Sequence, residues 1–442
     1  MKIQYKIFTY LKEEQWEYFY CLKRLEKESK NVILSRQREQ LKNIILKAYN
    51  TTIYYKNLYD ECGVSEKIIS GRYEIEELPI LTKLDLRDNS RNMVSTDIDS
   101  SLLRIGHTGG STGLPVSYYF TSDIIDKMNA TLHIFYTRCG WEPGEKILHF
   151  WGARQDLKKI KNIKNALSQW IKAEKIIPAY EFDEDTLAEW YQVLIKNKPV
   201  IIQGYASVLA HLAEYIKKND YSVPPIKGIY STAEILYPTQ RKLLEEVFET
   251  RIFDQYGCRE IPGIACECQY GNMHIMTEMA HVESIKINDE QTGRLIITSL
   301  SNHAMPLIRY EVGDTGYLKE GNCECGLPYP IMGMGMCRTN DIIVTKRGKH
   351  IYPSYFVHLM DEFHFIKQYQ FRQVATDKIH LYIVGDIKKE QYKEILNKIR
   401  LRINEDYAGD LELELKTNIE IQKTPSGKYR YVISELTERK FV

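Results

Sequence analysis

At 442 residues the chain is too long for one compact hydrophobic core and fits two or three domains. Apolar and charged shares of 43% and 27% are ordinary for a water-soluble globular protein, and a net charge of +1 supplies no global field to recruit nucleic acid or a membrane surface. Met1 to Tyr20 lacks the apolar core of a signal peptide and no apolar run is long enough to span a bilayer. The nine cysteines, without a secretory context, read as reduced thiols or a metal site, so the expectation is a cytoplasmic protein with no membrane insertion.

Residues 5–50 predict helix, with Leu41, Ile44, Ile45 and Ala48 on one face. After a mixed region, Leu78-Pro79-Ile80-Leu81-Thr82-Lys83 introduces a short helical stretch. Leu102, Leu103 and Ile105 precede a Gly/hydroxyl run, and the alternating Val116-Ser117-Tyr118-Tyr119-Phe120-Thr121 follows it; the pattern is strand, loop, strand. Ser122 to Arg138 predicts a helix capped by Ser122, lined by Ile124, Ile125, Met128 and Leu132. Beyond it, strands at Ile147 to Trp151, Pro199 to Ile202, Lys227 to Tyr230 and Arg251 to Gln255 alternate with helices at Glu181 to Lys196, Tyr205 to Lys217 and Pro238 to Glu249. Such alternation implies an α/β fold with a parallel or mixed sheet covered on its faces. From His281 to Tyr317 the pattern turns to strands: Val282 to Ile287, Leu295 to Ser299 and Gly316 to Lys319. The run Met332-Gly333-Met334-Gly335-Met336 reads as a flexible join, which puts the boundary between a large unit, 1–336 (with 1–80 as its helical N-terminal part), and a small C-terminal unit, 337–442. The small unit carries Ile342-Ile343-Val344, helices at Pro353 to Met360 and Lys389 to Asn404, and a strand at Ile379 to Val384.

The loop is Thr108-Gly109-Gly110-Ser111-Thr112-Gly113, followed by Leu114-Pro115. Its glycines let backbone N–H groups converge on one point and its hydroxyls add donors, which suits a polyphosphate; a plain Gly/Ser hairpin turn is the competing reading. It lacks the Gly-Lys-Ser/Thr ending of a Walker loop, so an ordinary P-loop ATPase is not indicated. Further features follow in order: Ser231-Thr232-Ala233-Glu234 at a strand end, Tyr256-Gly257-Cys258-Arg259-Glu260, Leu307 to Asp314 ending Gly313-Asp314, Arg338-Thr339-Asn340-Asp341 with Gly348-Lys349-His350, and Thr424-Pro425-Ser426-Gly427-Lys428.

In this ordered set, from about Ile80 to the C-terminus, the sequence resembles the adenylate-forming superfamily of acyl-CoA synthetases and adenylation domains. Within it the likeness is to the phenylacetate–CoA ligase branch, with its coenzyme F390 synthetase-like and capsule-biosynthesis CapK-like members. The resemblance implies a large multi-sheet N-terminal domain with helices packed on the sheets, plus a small mobile C-terminal α+β lid. It implies that Thr108, Gly109, Gly110, Ser111, Thr112 and Gly113 hold the ATP phosphates. Ser231 and Thr232-Ala233-Glu234 would line the adenine, and Tyr256, with Gly257 beside it, would stack near it. Glu260 would ligate Mg²⁺, Asp314 would accept both ribose hydroxyls, and Arg338 would contact ribose or phosphate. Lys428 would bridge the substrate carboxylate and the ribose, and Gly348 would face the acceptor thiol. The sequence departs from the family pattern at Val116, where many relatives carry Lys, and at Asn340, where the hinge is usually Asp or Lys.

Cys266-x-Cys268, His274 and Cys323-x-Cys325 supply thiolates and an imidazole suited to tetrahedral zinc. The preferred set is Cys268, His274, Cys323 and Cys325 as a structural Zn²⁺ site, with Cys266 the rival first ligand and reduced buried thiols the rival reading. Arg154 to Lys175 holds seven basic residues, Arg154, Lys158, Lys159, Lys161, Lys164, Lys172 and Lys175, which read as a solvated face or as an attractor for an anionic carrier protein or glycan. His149, Phe150 and Trp151 read either as acyl-pocket lining or as a structural aromatic cluster.

The expectation is an acid–thiol ligase, AMP-forming, that adenylates a small carboxylic acid and passes the acyl group to coenzyme A or a phosphopantetheine carrier. A sugar or amine acceptor in polysaccharide biosynthesis is the alternative, and a degenerate nucleotide-binding scaffold is the reading of a different class. Near-neutral charge and the absence of basic–aromatic repeats argue against a zinc-dependent nucleic-acid binder.

Overall fold

Helices α1 (Ile3–Leu11), α2 (Glu13–Leu25), α3 (Lys30–Thr51), α4 (Ile53–Glu61) and α5 (Ser65–Ser70) open the chain. The single helical stretch expected over 5–50 is therefore three helices, interrupted at Lys12, which leaves helical geometry, and at Ser29, whose hydroxyl accepts from the Val32 N–H and starts α3. Ile44, Ile45 and Ala48 do share a buried face, against Tyr55, Tyr59 and Ile308. The structure is a computed structural model that describes residues 3–107, 116–151, 163–179, 183–286, 292–338, 343–347, 350–351, 353–360, 363, 366, 368–384, 387–407, 409–417, 421 and 430–438.

Helix α6 (Lys83–Asn89) begins with a reciprocal capping box between Thr82 and Asp85. Strands β1 (Arg104–His107) and β2 (Ser117–Phe120) pair antiparallel, with His107 opposite Ser117, so the expected strand–loop–strand stands on both flanks. The loop residues 108–115 lie outside the described residues. Helix α7 (Ser122–Thr137) starts after Thr121, which is extended and takes the cap position in place of Ser122.

Then β3 (Ile147–Trp151), α8 (Ile163–Lys172), β4 (Glu174–Pro178), α9 (Glu184–Asn197), β5 (Ile201–Tyr205), α10 (Ala206–Lys218), β6 (Gly228–Thr232), α11 (Pro238–Phe248) and β7 (Ile252–Tyr256) alternate. The five strands run parallel. They read as near-continuous apolar runs because helices bury both faces. On one side Leu148, Ile202, Ile229 and Ile252 pack under Trp190, Leu194, Leu209 and Leu244. On the other, Ile147, Ile201, Tyr230 and Phe253 pack under Phe19 of α2 and Ile134 and Phe135 of α7. Strand β4 was not expected, since it opens on the charged Glu174-Lys175.

Antiparallel strands continue the sheet: β8 (Ala265–Glu267), β9 (Met273–Ile275), β10 (Ala280–Lys286), β11 (Gly293–Ser299), β12 (Tyr310–Lys319) and β13 (Ile331–Arg338). Among the described residues the sheet has eleven strands in the order β10-β11-β12-β13-β9-β8-β7-β6-β5-β3-β4. The Gly/Met run expected as a flexible join is part of β13. Its glycines are there because neighbours lie across them: a Cβ at Gly333 would sit 2.3 Å from the Tyr317 ring, and one at Gly335 2.1 Å from the Thr315 hydroxyl.

The C-terminal part comprises β14 (Ile343–Val344), β15 (His350–Ile351), α12 (Pro353–Met360), β16 (Gln368–Ala375), β17 (Lys378–Val384), α13 (Lys389–Tyr407), β18 (Glu412–Thr417), β19 (Val432–Ser434) and α14 (Glu435–Glu438). Its four-stranded sheet, order β18-β17-β16-β19, has a core of its own around Phe356, Phe371, Leu381, Ile395 and Ile399. No helix among the described residues is long and apolar enough to cross a membrane.

Candidate active site

At and beyond the end of β7, two residues of the expected nucleotide site, Tyr256 and Glu260, contact β12. Tyr256, the last residue of β7, donates its hydroxyl to Asp314 Oδ2 at 3.1 Å. Asp314 lies in β12 after Gly313, whose φ of +81° suits glycine and turns the chain before the acid. The ladder sets the backbone of Arg338 opposite Asp314. Glu260 is buried, and the Tyr310 hydroxyl approaches its Oε1 only to 3.5 Å, long for a hydrogen bond, so that contact compensates the carboxylate weakly. Gly257 is tightly enclosed: a Cβ there would be 3.0 Å from the Gly263 backbone nitrogen.

At the end of β6, Thr232 leads into Ala233, which has a φ of +68°, a conformation that costs a non-glycine residue of the order of 1 kcal/mol. The turn is held by Glu234, whose Oε2 accepts from the Ser207 N–H at 2.9 Å, at the N-terminus of α10 where a carboxylate is favoured. The Glu234 side chain is thus engaged inside the protein. Ser231 is fully buried and donates to Asp254 Oδ1. Burial first, then the charge of Glu267, push the Asp254 carboxyl up to about 7 against the opposing bond from Ser231.

Val116, at the position where relatives carry Lys, is 2% exposed in the core with Ile261 and Leu307. A charge there would be buried, so the departure has a packing reason. Beside the loop, the Ser117 hydroxyl and His107 Nδ1 lie 3.2 Å apart. Residues Thr108 to Gly113, Asn340, Gly348 and Lys428 lie outside the described residues. Three positions beyond Lys428, the Tyr431 ring meets the Tyr237 ring at 4.5 Å, an edge-on contact next to the Thr232–Glu234 turn. The Tyr431 carbonyl accepts from Phe371 N at 2.7 Å, which ties this contact to the small sheet.

A second cluster lies in the antiparallel half. One ligand atom each from Cys268, His274, Cys323 and Cys325 falls within 4.8 Å of all the others. Cys268 and Cys323 sulfurs are 3.6 Å apart, and Cys325 Sγ is 3.2 Å from His274 Nε2. His274 Nδ1 is 3.2 Å from the Tyr329 carbonyl, an acceptor only, so Nδ1 carries the proton and Nε2 turns its lone pair to the sulfurs. Asn272 Nδ2 donates to Cys323 Sγ at 3.2 Å, and Tyr270 N donates to Cys268 Sγ at 3.4 Å. Cys266 packs instead in the core with Ile134 and Tyr230, so Cys268 and not Cys266 belongs to this group of side chains.

Two groups escaped sequence reasoning. Asp254 with Glu267 and Arg241 forms a charged network at the β7 edge, and Arg241 Nη2 reaches both Glu267 oxygens at 2.8 and 2.9 Å. Gln203 sits inside an otherwise apolar strand, between His149 and Gln255. A glutamine within Ile201-Ile202-Gln203-Gly204 was the available signal.

Residues 343–435 match the family model "CapK C-terminal domain". Protein CapK of Staphylococcus aureus is 27% identical across 99% of this chain and 96% of its own length. A phenylacetate-coenzyme A ligase of Thermus thermophilus is 26% identical over 72% of this chain and 73% of its own length. The crystal structure of 2-hydroxyisobutyryl-CoA ligase, in the postadenylation state with an acyl-AMP, superposes with a TM-score of 0.70 at 18% identity, covering 92% of this chain and 90% of that one. The chain is thus similar along nearly all of its length to CapK and along about three quarters of it to a phenylacetate-coenzyme A ligase, and it shares the fold of 2-hydroxyisobutyryl-CoA ligase.

Proposed function

We propose that the protein is an ATP-dependent ligase that joins a small carboxylic acid to a thiol, through an acyl-adenylate. The observation that carries this reading is the seam where Tyr256 bonds Asp314 beside the strained Ala233 turn, in a chain whose relatives include phenylacetate-coenzyme A ligases. In the first step a carboxylate oxygen attacks the α-phosphorus of ATP, and the bond to pyrophosphate breaks. In the second a thiolate attacks the acyl carbon and AMP leaves.

Each residue has a place in this scheme. Asp314, already oriented by Tyr256, has acceptor capacity for the ribose hydroxyls as well. Thr232 and Ala233 offer backbone to the adenine, while Glu234 fixes the turn from within. Glu260, buried and weakly compensated, fits a Mg²⁺ ligand; Mg²⁺ would offset the repulsion between two anions meeting at phosphorus. Thr108 to Gly113 would take the phosphates and Arg338 the ribose or α-phosphate. Lys428 would contact the carboxylate during adenylation, delivered by the 337–442 unit acting as a lid, with Gly348 facing the thiol after it turns. The Tyr237–Tyr431 contact supports a lid position close to the β6 turn. The acceptor is coenzyme A, with a carrier protein as the other thiol donor and Arg154 to Lys175 as its docking stretch. The likeness to CapK along 99% of the chain favours, as a second reading, a sugar or amine acceptor.

The thiol and imidazole cluster fits structural Zn²⁺: four ligands fill a tetrahedron, His274 is oriented from behind, and N–H donors face the sulfurs. It would brace β9 and the loop before β13 and take no part in chemistry. A cytoplasmic location suits reduced thiols there.

Pyrophosphate–ATP exchange across aryl, aliphatic, amino and sugar acids tests the reading. Exchange that depends on an added acid and falls roughly a hundredfold or more in Lys428→Ala and Asp314→Ala is expected. No exchange with any acid together with no AMP binding would replace the ligase with a nucleotide-site scaffold.

A further inference from the structure

A ring contact joins the small unit to the segment that follows β6. Tyr431 meets Tyr237 edge-on, with ring centroids 4.5 Å apart and planes at 68°. Aromatic pairs favour that geometry. Tyr237 stands at the N-terminus of α11 and is only 6% exposed.

Both rings stand on well-anchored backbone. The Tyr237 N–H donates to Gln240 Oε1 at 3.1 Å and the Tyr237 carbonyl accepts from Arg241 N at 2.9 Å, which fixes the residue to the first turn of α11. Only Glu234, Ile235 and Leu236 separate it from the strained Ala233. On the other side, the Tyr431 carbonyl accepts from Phe371 N and the Arg430 carbonyl from Gln370 Nε2, each at 2.7 Å. Val432 then pairs with Phe371 as β19 joins β16. The Tyr369 ring of β16 lies 5.0 Å from that of Tyr431, so the aromatic row runs on into the small core. A shift of the small sheet is thus a shift of the Tyr431 ring.

The charges around the contact leave it neutral. Glu234 Oε2 holds the Ser207 N–H, and Glu234 Oε1 is buried with no hydrogen-bond partner among the described residues. Burial first, then the charges of Glu234 and Glu214, hold the Tyr431 hydroxyl above its ordinary range, so the phenol keeps its proton. Two uncharged rings act through shape and burial, and salt does not screen them. Lys428 lies three residues before Tyr431, and covalent geometry keeps its Cα within about 11 Å of the Tyr431 Cα.

We propose that Tyr431 is a positioning residue: seated on Tyr237, it docks the small unit against the β6 turn, and this docking strengthens nucleotide binding and holds Lys428 near the nucleotide. The proposal rests on the ligase reading above, in which Thr232 and Ala233 line the adenine and the small unit supplies Lys428. Docking and nucleotide binding then favour each other by the same factor.

AMP titrated by calorimetry into the full chain tests this without an acid or turnover. Tyr237→Ala and Tyr431→Ala should each weaken AMP binding roughly fivefold, near the worth of one aromatic pair. The double variant should match the weaker single variant to within about twofold, because the two rings act through one contact. Tyr431→Phe, which keeps the ring, should bind AMP to within about twofold of the wild type. Circular dichroism reports the fold of each variant, and leucine replaces alanine at a position where the alanine variant does not fold. Unchanged affinity in either single variant, losses that multiply in the double, or Tyr431→Phe as weak as Tyr431→Ala overturns the proposal, while AMP binding by the wild type keeps the ligase reading. A wild-type chain that binds no AMP removes the ligase reading and this proposal with it.

Discussion

The two halves of the large sheet are held together by different physics. In the parallel half, β3 to β7, both faces are buried under helices, and Ile201, Ile202, Ile229 and Ile252 are wholly inaccessible. Non-directional burial dominates there, at roughly 25 cal/mol per Å² of apolar surface. The antiparallel half from β8 to β13 also buries side chains, but adds directional cross-links. Arg309, on the approach to β12, reaches both Glu283 oxygens on β10, with Nη2–Oε1 at 2.8 Å, and donates to the carbonyls of Glu76 and Leu78. The Cys/His cluster ties β9 to the loop before β13. The residues that would grip the nucleotide come from both halves and meet at Tyr256 and Asp314. A covered parallel sheet tolerates variation at any one contact, whereas a cross-linked half fails at single residues.

The largest effect should come from Arg309. Its backbone has a φ of +50°, an unfavourable region that the anchored side chain and the Thr298 bond to its N–H hold in place. Arg309→Met leaves Glu283 buried and unpaired, and a loss of about 3–5 kcal/mol is expected by urea unfolding. Arg309→Met with Glu283→Gln should regain part of it. A single-variant loss under about 1 kcal/mol, the worth of an exposed pair, would erase the contrast between the halves.

The cysteine cluster sharpens the contrast at smaller cost. Purified protein should hold about one zinc per chain, and Cys268→Ser should hold about none. That variant should lose about 2 kcal/mol of stability. Cys266→Ser, outside the group, should keep the metal. Metal-free wild-type protein with unchanged melting would leave the four side chains as reduced thiols only.

The parallel half was the more legible in the sequence, for the same physical reason. Strands such as Ile147 to Trp151 and helices such as Pro238 to Phe248 announce themselves by apolar runs or by period, because burial is what orders them. The antiparallel half depends on pairings between distant residues, which periodicity does not report. Gly333 and Gly335 read as a join because their partners, Tyr317 and Thr315, are distant in sequence. The nucleotide residues were legible as an ordered set of short motifs. Asp254 and Gln203 were not, since each matters through neighbours distant in sequence, Ser231 for the one and His149 for the other among them. Likewise β4 opens on Glu174, whose carboxyl is driven up by burial but held near 2 overall by the distant His133 and His149 and by nearby Lys172.

The smallest effect lies on the boundary between the halves, at Asp254. This carboxyl belongs to β7, and its own N–H donates to Glu267 Oε2 of β8 at 3.0 Å. Burial, with Glu267 beside it, raises its pKa from 3.8 to about 7, while Ser231 and Arg241 act in the other direction. The folded chain therefore keeps a proton between about pH 4 and 7 that the unfolded chain releases. More protons bound in the folded state means that stability from this group is fully present below the unfolded value, falls as pH rises through the window, and is flat above it. Asp254→Asn keeps the shape and removes the titration. Urea unfolding of both proteins at pH 5 and pH 7.5 should show the wild type losing up to about 2 kcal/mol more than the variant over that interval. Parallel pH profiles for the two would mean that Asp254 is ionised throughout, and that the charge of Arg241 rather than burial governs the edge where the two halves join.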